Sequence, residues 1–237
     1  MFSQTTTSWS KCWTLHHCGH TLTYFTSSCI ALPGLGYHPF TAWQHDPAAD
    51  PFMWLRESLP QSTPGTQIFL YGYDAKPHDG GEPTSAEGIA LSLISGLRGI
   101  GRSSLSAKPV VFLAHSLGGS VLKQCPINLA NAGQSEMFML RTVKACIFMA
   151  VPNCLPGPIQ LNSMVHDKRF TGLLKELQAA KNVGYLSSMS GMLGGIAQAN
   201  GIRLCSGYET VEASTTGLEV LLSLSTTVTD FATGEVC

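Results

Sequence analysis

A short apolar run, Val110-Val111-Phe112-Leu113-Ala114, stops abruptly at His115-Ser116-Leu117-Gly118-Gly119 and gives way to SVLKQ, which can be helical. That order takes a strand into a tight turn and straight on into a helix. Small residues stand two before and two after Ser116, at Ala114 and Gly118, where bulk would make strand and helix collide. The pattern A-x-S-x-G is one methyl away from the G-x-S-x-G of a nucleophile elbow. In such an elbow the serine is held in a strained conformation with its hydroxyl clear of the sheet. The helix start behind it favours developing negative charge. The plain alternative is a glycine-rich turn with an idle serine.

Other apolar runs of strand length recur at 24–32, 67–73, 145–151, 202–208 and 218–224. Several are continuously apolar rather than alternating, as strands buried on both faces are. Helical patterns lie between them. Thr84-Ser85-Ala86-Glu87 reads as a capping box, followed by Ile89, Leu93, Leu97 and Ile100 on one face. A helix is expected over 119–131, and another over 168–181. This alternation predicts one α/β domain, a mostly parallel central sheet flanked by helices, over 23–237, with 1–22 as an N-terminal extension. The Gly-, Ser- and Met-rich stretch 182–201 reads equally as a lid over an apolar pocket or as a surface helix.

The 237 residues are 44% hydrophobic, enough for one domain with a real core. Charged residues make up only 12% and the net charge is −1, so no basic face suits nucleic acid. So sparse a charge suits apolar ligands or peripheral contact with a membrane surface. No apolar window is long enough to span a bilayer, and the N-terminus lacks the apolar stretch of a secretory signal. An intracellular, mainly cytoplasmic location is expected. The Ser/Thr-rich, acid-free start keeps a mitochondrial location open, and an ER-associated one is the further alternative. The irregularly spaced cysteines read as reduced thiols, with Cys29, Cys146 and Cys205 serving as small hydrophobes in strands. Cys12, His16, His17, Cys18 and His20 could supply zinc ligands. No second pair follows at finger spacing, so an ordinary extension is expected and no metal.

Blocks spread over 30–225 resemble the lipase-like serine α/β-hydrolases that include the GPI inositol-deacylases and phospholipid-remodelling serine hydrolases. ALPGLGYHPFTAW (31–43) resembles the family's HGLGGHPxxTW loop. WLRESLP (54–60) and YGYDA (71–75) match the next two blocks, and AHSLGG (114–119) with KQ (123–124) matches the elbow. FMAVPNCLPG (148–157) stands at FxGTPHxG, and SGYET (206–210) at FYET.

The resemblance implies an α/β-hydrolase fold and ester hydrolysis, on a lipid or a small ester, through an acyl-enzyme on Ser116. It implies no cofactor. One oxyanion donor would be the backbone N–H of Leu117. The other would be that of Leu35, in a loop that Gly34 and Gly36 let approach the substrate. Glu209 is the expected acid, ahead of Glu212 and Asp167. In this fold the order is serine, acid, histidine, and none of the eight histidines follows Glu209. His115 adjoins the nucleophile, but the elbow should turn its side chain away, and His38 is expected to shape the oxyanion loop. Pro33 stands at the family's loop histidine, and Val151-Pro152-Asn153 stand at its TPH. Pro126 falls inside the helix after the elbow.

These departures suggest a fold incomplete at its C-terminus and an activity in question, since losing the base costs such enzymes about a millionfold in turnover. The alternative function is a non-catalytic signalling or binding domain, as at the head of NACHT/ankyrin-type proteins. An open sheet edge would favour self-association.

Overall fold

The computed structural model describes residues 14–18, 24–34, 37–44, 52–73, 85–104, 106–151 and 185–207. Six strands form one sheet in the order β1-β3-β2-β4-β5-β6. They are β1 (Thr14–Cys18), β2 (Ser27–Leu32), β3 (Thr66–Gly72), β4 (Val110–His115), β5 (Val143–Met149) and β6 (Arg203–Gly207). β1 pairs antiparallel with β3, and every other pairing is parallel. The segment read as an extension therefore contributes an edge strand. The sheet accepts it because Cys18 is buried and Leu15 packs on the core.

Beyond Ser28 and Gln67 the central strands β2 and β3 are continuously apolar, as is β4 from Val110 to Ala114, because both faces of the sheet are covered. Side chains alternate along a strand, so neighbours face opposite layers. Ile30, Leu32, Phe69, Tyr71, Phe112 and Ala114 enter one cluster with α3 (Ala86–Gly99), α4 (Gly118–Asn131) and α6 (Tyr185–Asn200). Cys29, Ala31, Ile68, Leu70 and Leu113 enter the other, with Trp43, Met53 and Leu55. Trp43 closes the single turn Thr41–Trp43, and Leu55 lies in the short α1 (Trp54–Glu57), which precedes α2 (Leu59–Ser62). At the other end of the sheet, buried Arg102 donates from Nη2 to Ser28 Oγ at 2.6 Å.

Several expectations shift. The cap of α3 is Ser85, not Thr84: its Oγ accepts from the Gly88 amide at 2.9 Å. Ile89, Leu93 and Leu97 form the buried stripe as expected. α5 (Gln134–Thr142) was not legible, because its apolar content is low and Met139 and Leu140 carry its burial. α4 runs unbroken through Pro126, whose ring is buried. Cys29 and Cys146 are buried, but Cys205 is exposed, because β6 lies at an edge of the described sheet. The stretch 182–201 contains α6, whose Leu186, Met189, Leu193 and Ala197 recur at helical spacing and pack into the main core. Lys123 of α4, itself buried, donates to Ser190 Oγ of α6 at 3.0 Å. The stretches 168–181 and 218–224 lie outside the described residues. Among the described residues no helix is long and apolar enough to cross a membrane.

Candidate active site

Parallel register brings four strand ends together. Leu32 pairs with Ala114, His115 with Met149, and Met149 with Gly207. The loop after β2, the elbow after β4 and the exit from β5 thus leave the sheet side by side. In open α/β sheets that carboxyl end is where ligands bind.

Ser116 sits between β4 and α4 with φ at 52°, in the left-handed region. For a residue with a Cβ that conformation costs about 1–2 kcal/mol. Hydrogen bonds on both sides hold it there. The Ser116 amide donates to Met149 O at 3.0 Å, and the Gly119 amide donates to Ser116 O at 3.0 Å. Ala150, at the end of β5, is also left-handed, with φ at 49°, and its amide donates to Gly207 O at 2.9 Å. Leu117 occupies the N-cap position of α4, with its side chain buried. A helix start leaves its first amides without intrahelical partners, which suits Leu117 N–H to receive an oxyanion.

Close approaches explain the small residues. A methyl on Gly118 would lie 2.2 Å from Pro33 O and 3.1 Å from Leu32 O, both backbone atoms. A methyl on Gly119 would lie 2.3 Å from both methyls of Val151. One on Gly34 would lie 3.1 Å from Ser116 Cβ and 3.5 Å from Ser116 Oγ. Ala114 is fully buried between β2 and β5. The elbow, the loop after β2 and the exit from β5 therefore interlock through Gly118, Gly34 and Gly119.

Two contacts brace the elbow at Pro33 and Val151, while Asn153 lies outside the described residues. Tyr73 donates its hydroxyl to Pro33 O at 2.8 Å, and Val151 packs on Gly119 as an apolar wedge. Burial holds the Tyr73 phenol far above its ordinary range, so it remains a donor. Sequence reading missed Tyr73, although strand alternation places it on the same face as Tyr71, with the rings stacked at 5.8 Å.

His115 meets the rings of Tyr37 at 6.3 Å and Trp43 at 6.2 Å, edge to face. His38 accepts the Phe40 amide at Nδ1 at 3.2 Å, a local bond just after the glycine loop. His16 and His17 face opposite sides of β1. His17 packs edge-on against Phe69, and burial and the nearby His38 lower the pKa of His16. Cys18 is buried, its thiol pushed up to about 11 by desolvation. Among the described residues no three His, Cys, Asp or Glu side chains gather as a metal site. Leu35, Gly36 and Glu209, with Glu212, Asp167, Cys12 and His20, lie outside the described residues.

No protein-family profile and no curated protein matches the sequence. Solved structures do match. Phospholipase PlaB from Legionella pneumophila aligns with a TM-score of 0.50 and 17% identity, over 76% of this chain and 37% of that one. The structure reported for the metagenome-derived lipolytic enzymes LipS and LipT aligns at 0.46 with 7% identity, covering 82% and 74%. The hydrolase olei00960 from Oleispira antarctica aligns at 0.45 with 12% identity, covering 89% and 81%.

The chain has the α/β-hydrolase fold. It spans little more than a third of the length of PlaB. Within this fold, the strained Ser116 at the tip of the central β4 occupies the elbow position.

Proposed function

We propose that this chain is a serine ester hydrolase of the lipase-like kind that its motifs resemble, with Ser116 as nucleophile and lipid esters as substrates. The observation that carries the reading is the left-handed Ser116 between β4 and α4, locked by Gly118 against Pro33 O. Strain of this sort persists only where the surroundings over-determine it, and it clusters at reacting groups. Support for a lipid ester comes from the low charge content and from the phospholipase activity named for PlaB.

In this reading Ser116 Oγ attacks the ester carbonyl while its proton passes to a base. The carbonyl oxygen becomes an oxyanion facing Leu117 N–H and, by resemblance, Leu35 N–H. Collapse expels the alcohol, which takes a proton, and leaves the acyl group on Ser116. Water, deprotonated by the same base, then releases the acid. Glu209 is the proposed orienting acid. The expected peripheral membrane contact and self-association through an exposed sheet edge belong to the same reading.

The test is labelling of the folded chain with a fluorophosphonate, beside Ser116→Ala and single alanine substitutions of the eight histidines. Labelling that Ser116→Ala abolishes supports the reading, and the histidine variant that loses it names the base. Folded protein that takes no label overturns the reading in favour of a non-catalytic binding domain.

A further inference from the structure

Half of Tyr37 is open to solvent, at 50% exposure, although the ring stands beside the elbow. The volume above Gly34 relates it to the nucleophile. A single methyl placed there would touch Ser116 Cβ at 3.1 Å, Ser116 Oγ at 3.5 Å and Tyr37 Cδ2 at 3.2 Å. The reactive hydroxyl and the edge of the Tyr37 ring thus bound the same small space.

The ring is also held in place. The Tyr37 amide donates to Gly34 O at 3.3 Å, closing a turn. Behind the ring a chain of edge-to-face contacts runs inward. His115 lies at 6.3 Å from Tyr37, Trp43 at 6.2 Å from His115, and Trp54 at 6.2 Å from Trp43. Trp43 is buried at 5% exposure, so the stack is anchored in the second core cluster. A rigid aromatic ring with an open face gives up little conformational entropy when an apolar group covers it.

We infer that Tyr37 is a specificity-determining residue that covers the apolar chain next to the scissile carbonyl and so favours long-chain over short-chain esters. The inference rests on Ser116 being the nucleophile. Aliphatic groups stack on the ring face, so the phenolic hydroxyl is dispensable. Trp43 and His115 back the ring through their edge-to-face contacts.

The experiment measures the rate at which Ser116 is labelled by a methyl- and by a decyl-fluorophosphonate in wild type, Tyr37→Phe and Tyr37→Ala. Wild type and Tyr37→Phe should both favour the decyl probe. Tyr37→Ala should lose about tenfold of that preference, read as the ratio of the decyl rate to the methyl rate within the same protein, so that any general change in reactivity cancels. An unchanged chain-length ratio in Tyr37→Ala overturns the inference and leaves Ser116 as the nucleophile. So does a wild type with no chain-length preference, or a Tyr37→Ala that prefers the decyl probe more strongly, which would make the ring an obstruction. No labelling of folded wild type by either probe overturns the Ser116 reading, and the role of Tyr37 falls with it.

Discussion

Gly118→Ala is the substitution whose outcome follows most directly from the geometry. The added methyl would lie 2.2 Å from Pro33 O, 3.0 Å from Pro33 C and 3.1 Å from Leu32 O. These are backbone atoms at the end of β2, held in register with β4 by the pairing of Leu32 with Ala114. No rotamer change relieves the clash. To reach even 3.0 Å from the oxygen, strand end and helix must part by about 0.8 Å. Overpacking of this kind costs about 1–3 kcal/mol. Moving the Pro33 carbonyl also stretches the Tyr73 hydrogen bond of 2.8 Å, worth about 1 kcal/mol. Alanine recovers at most about 1 kcal/mol of helix propensity, and less at the first helical position than inside. The expected net loss is about 1–4 kcal/mol, read as a lower urea midpoint with an unchanged slope. The same parting shifts Leu117 N–H and the loop after β2 relative to Ser116. Fluorophosphonate labelling of the folded fraction should therefore fall by about tenfold or more. A Gly118→Ala protein with wild-type stability and wild-type labelling would refute the argued interlock.

Other consequences are open to the same kind of measurement. Ser116→Gly should unfold at higher urea than Ser116→Ala, by about 0.5–1 kcal/mol, because glycine adopts the φ of 52° without strain. Equal stabilities would mean that the elbow relaxes once the serine is gone. Gly119→Ala should destabilise strongly through the two Val151 methyls at 2.3 Å, and adding Val151→Ala should recover part of the loss, since the Val151 Cβ at 2.9 Å stays in the way. A double-mutant cycle should show a coupling of about 1–2 kcal/mol, and strict additivity would contradict the contact. Burial lowers Lys123 from 10.5 to about 8, so the unfolded state binds more protons between those pH values and stability should rise with pH across that window. The buried thiols of Cys18, Cys29 and Cys125, raised to about 11, 12 and 12, work the other way above about pH 9, because unfolded thiols ionise first. The difference between wild type and Lys123→Met isolates the lysine. That variant's advantage, on the order of 3 kcal/mol at and below pH 8, should shrink towards pH 10.5, and an advantage constant with pH would refute the assignment.

How much of this was legible in the sequence depended on whether the signal was local. The elbow was legible because its requirements sit within a few residues: an apolar strand, small residues at Ala114 and Gly118, and a helix start. The central strands were legible because burial on both faces leaves a continuous apolar run. β1 was not, because TLHHC contains two adjacent histidines, and only the pairing partner β3 makes a strand of it. The shift of the α3 cap from Thr84 to Ser85 shows the same limit at one residue's scale: both can cap, and the backbone path decides.

The braces of the site were the least legible, for a physical reason. Pro33 and Val151 stand where the resembled family carries polar residues, and read alone they suggest lost support. In the fold Pro33 offers a carbonyl to Tyr73, forty residues away in sequence, and Val151 fills the space that Gly119 leaves open. A hydrogen bond to backbone and a methyl wedge leave no trace in residue type at the braced position. The departures at Pro33 and Val151 are therefore evidence of a different way of bracing the elbow, and they do not by themselves argue that Ser116 has lost its function. That question turns on whether Ser116 reacts, and the fluorophosphonate asks it directly.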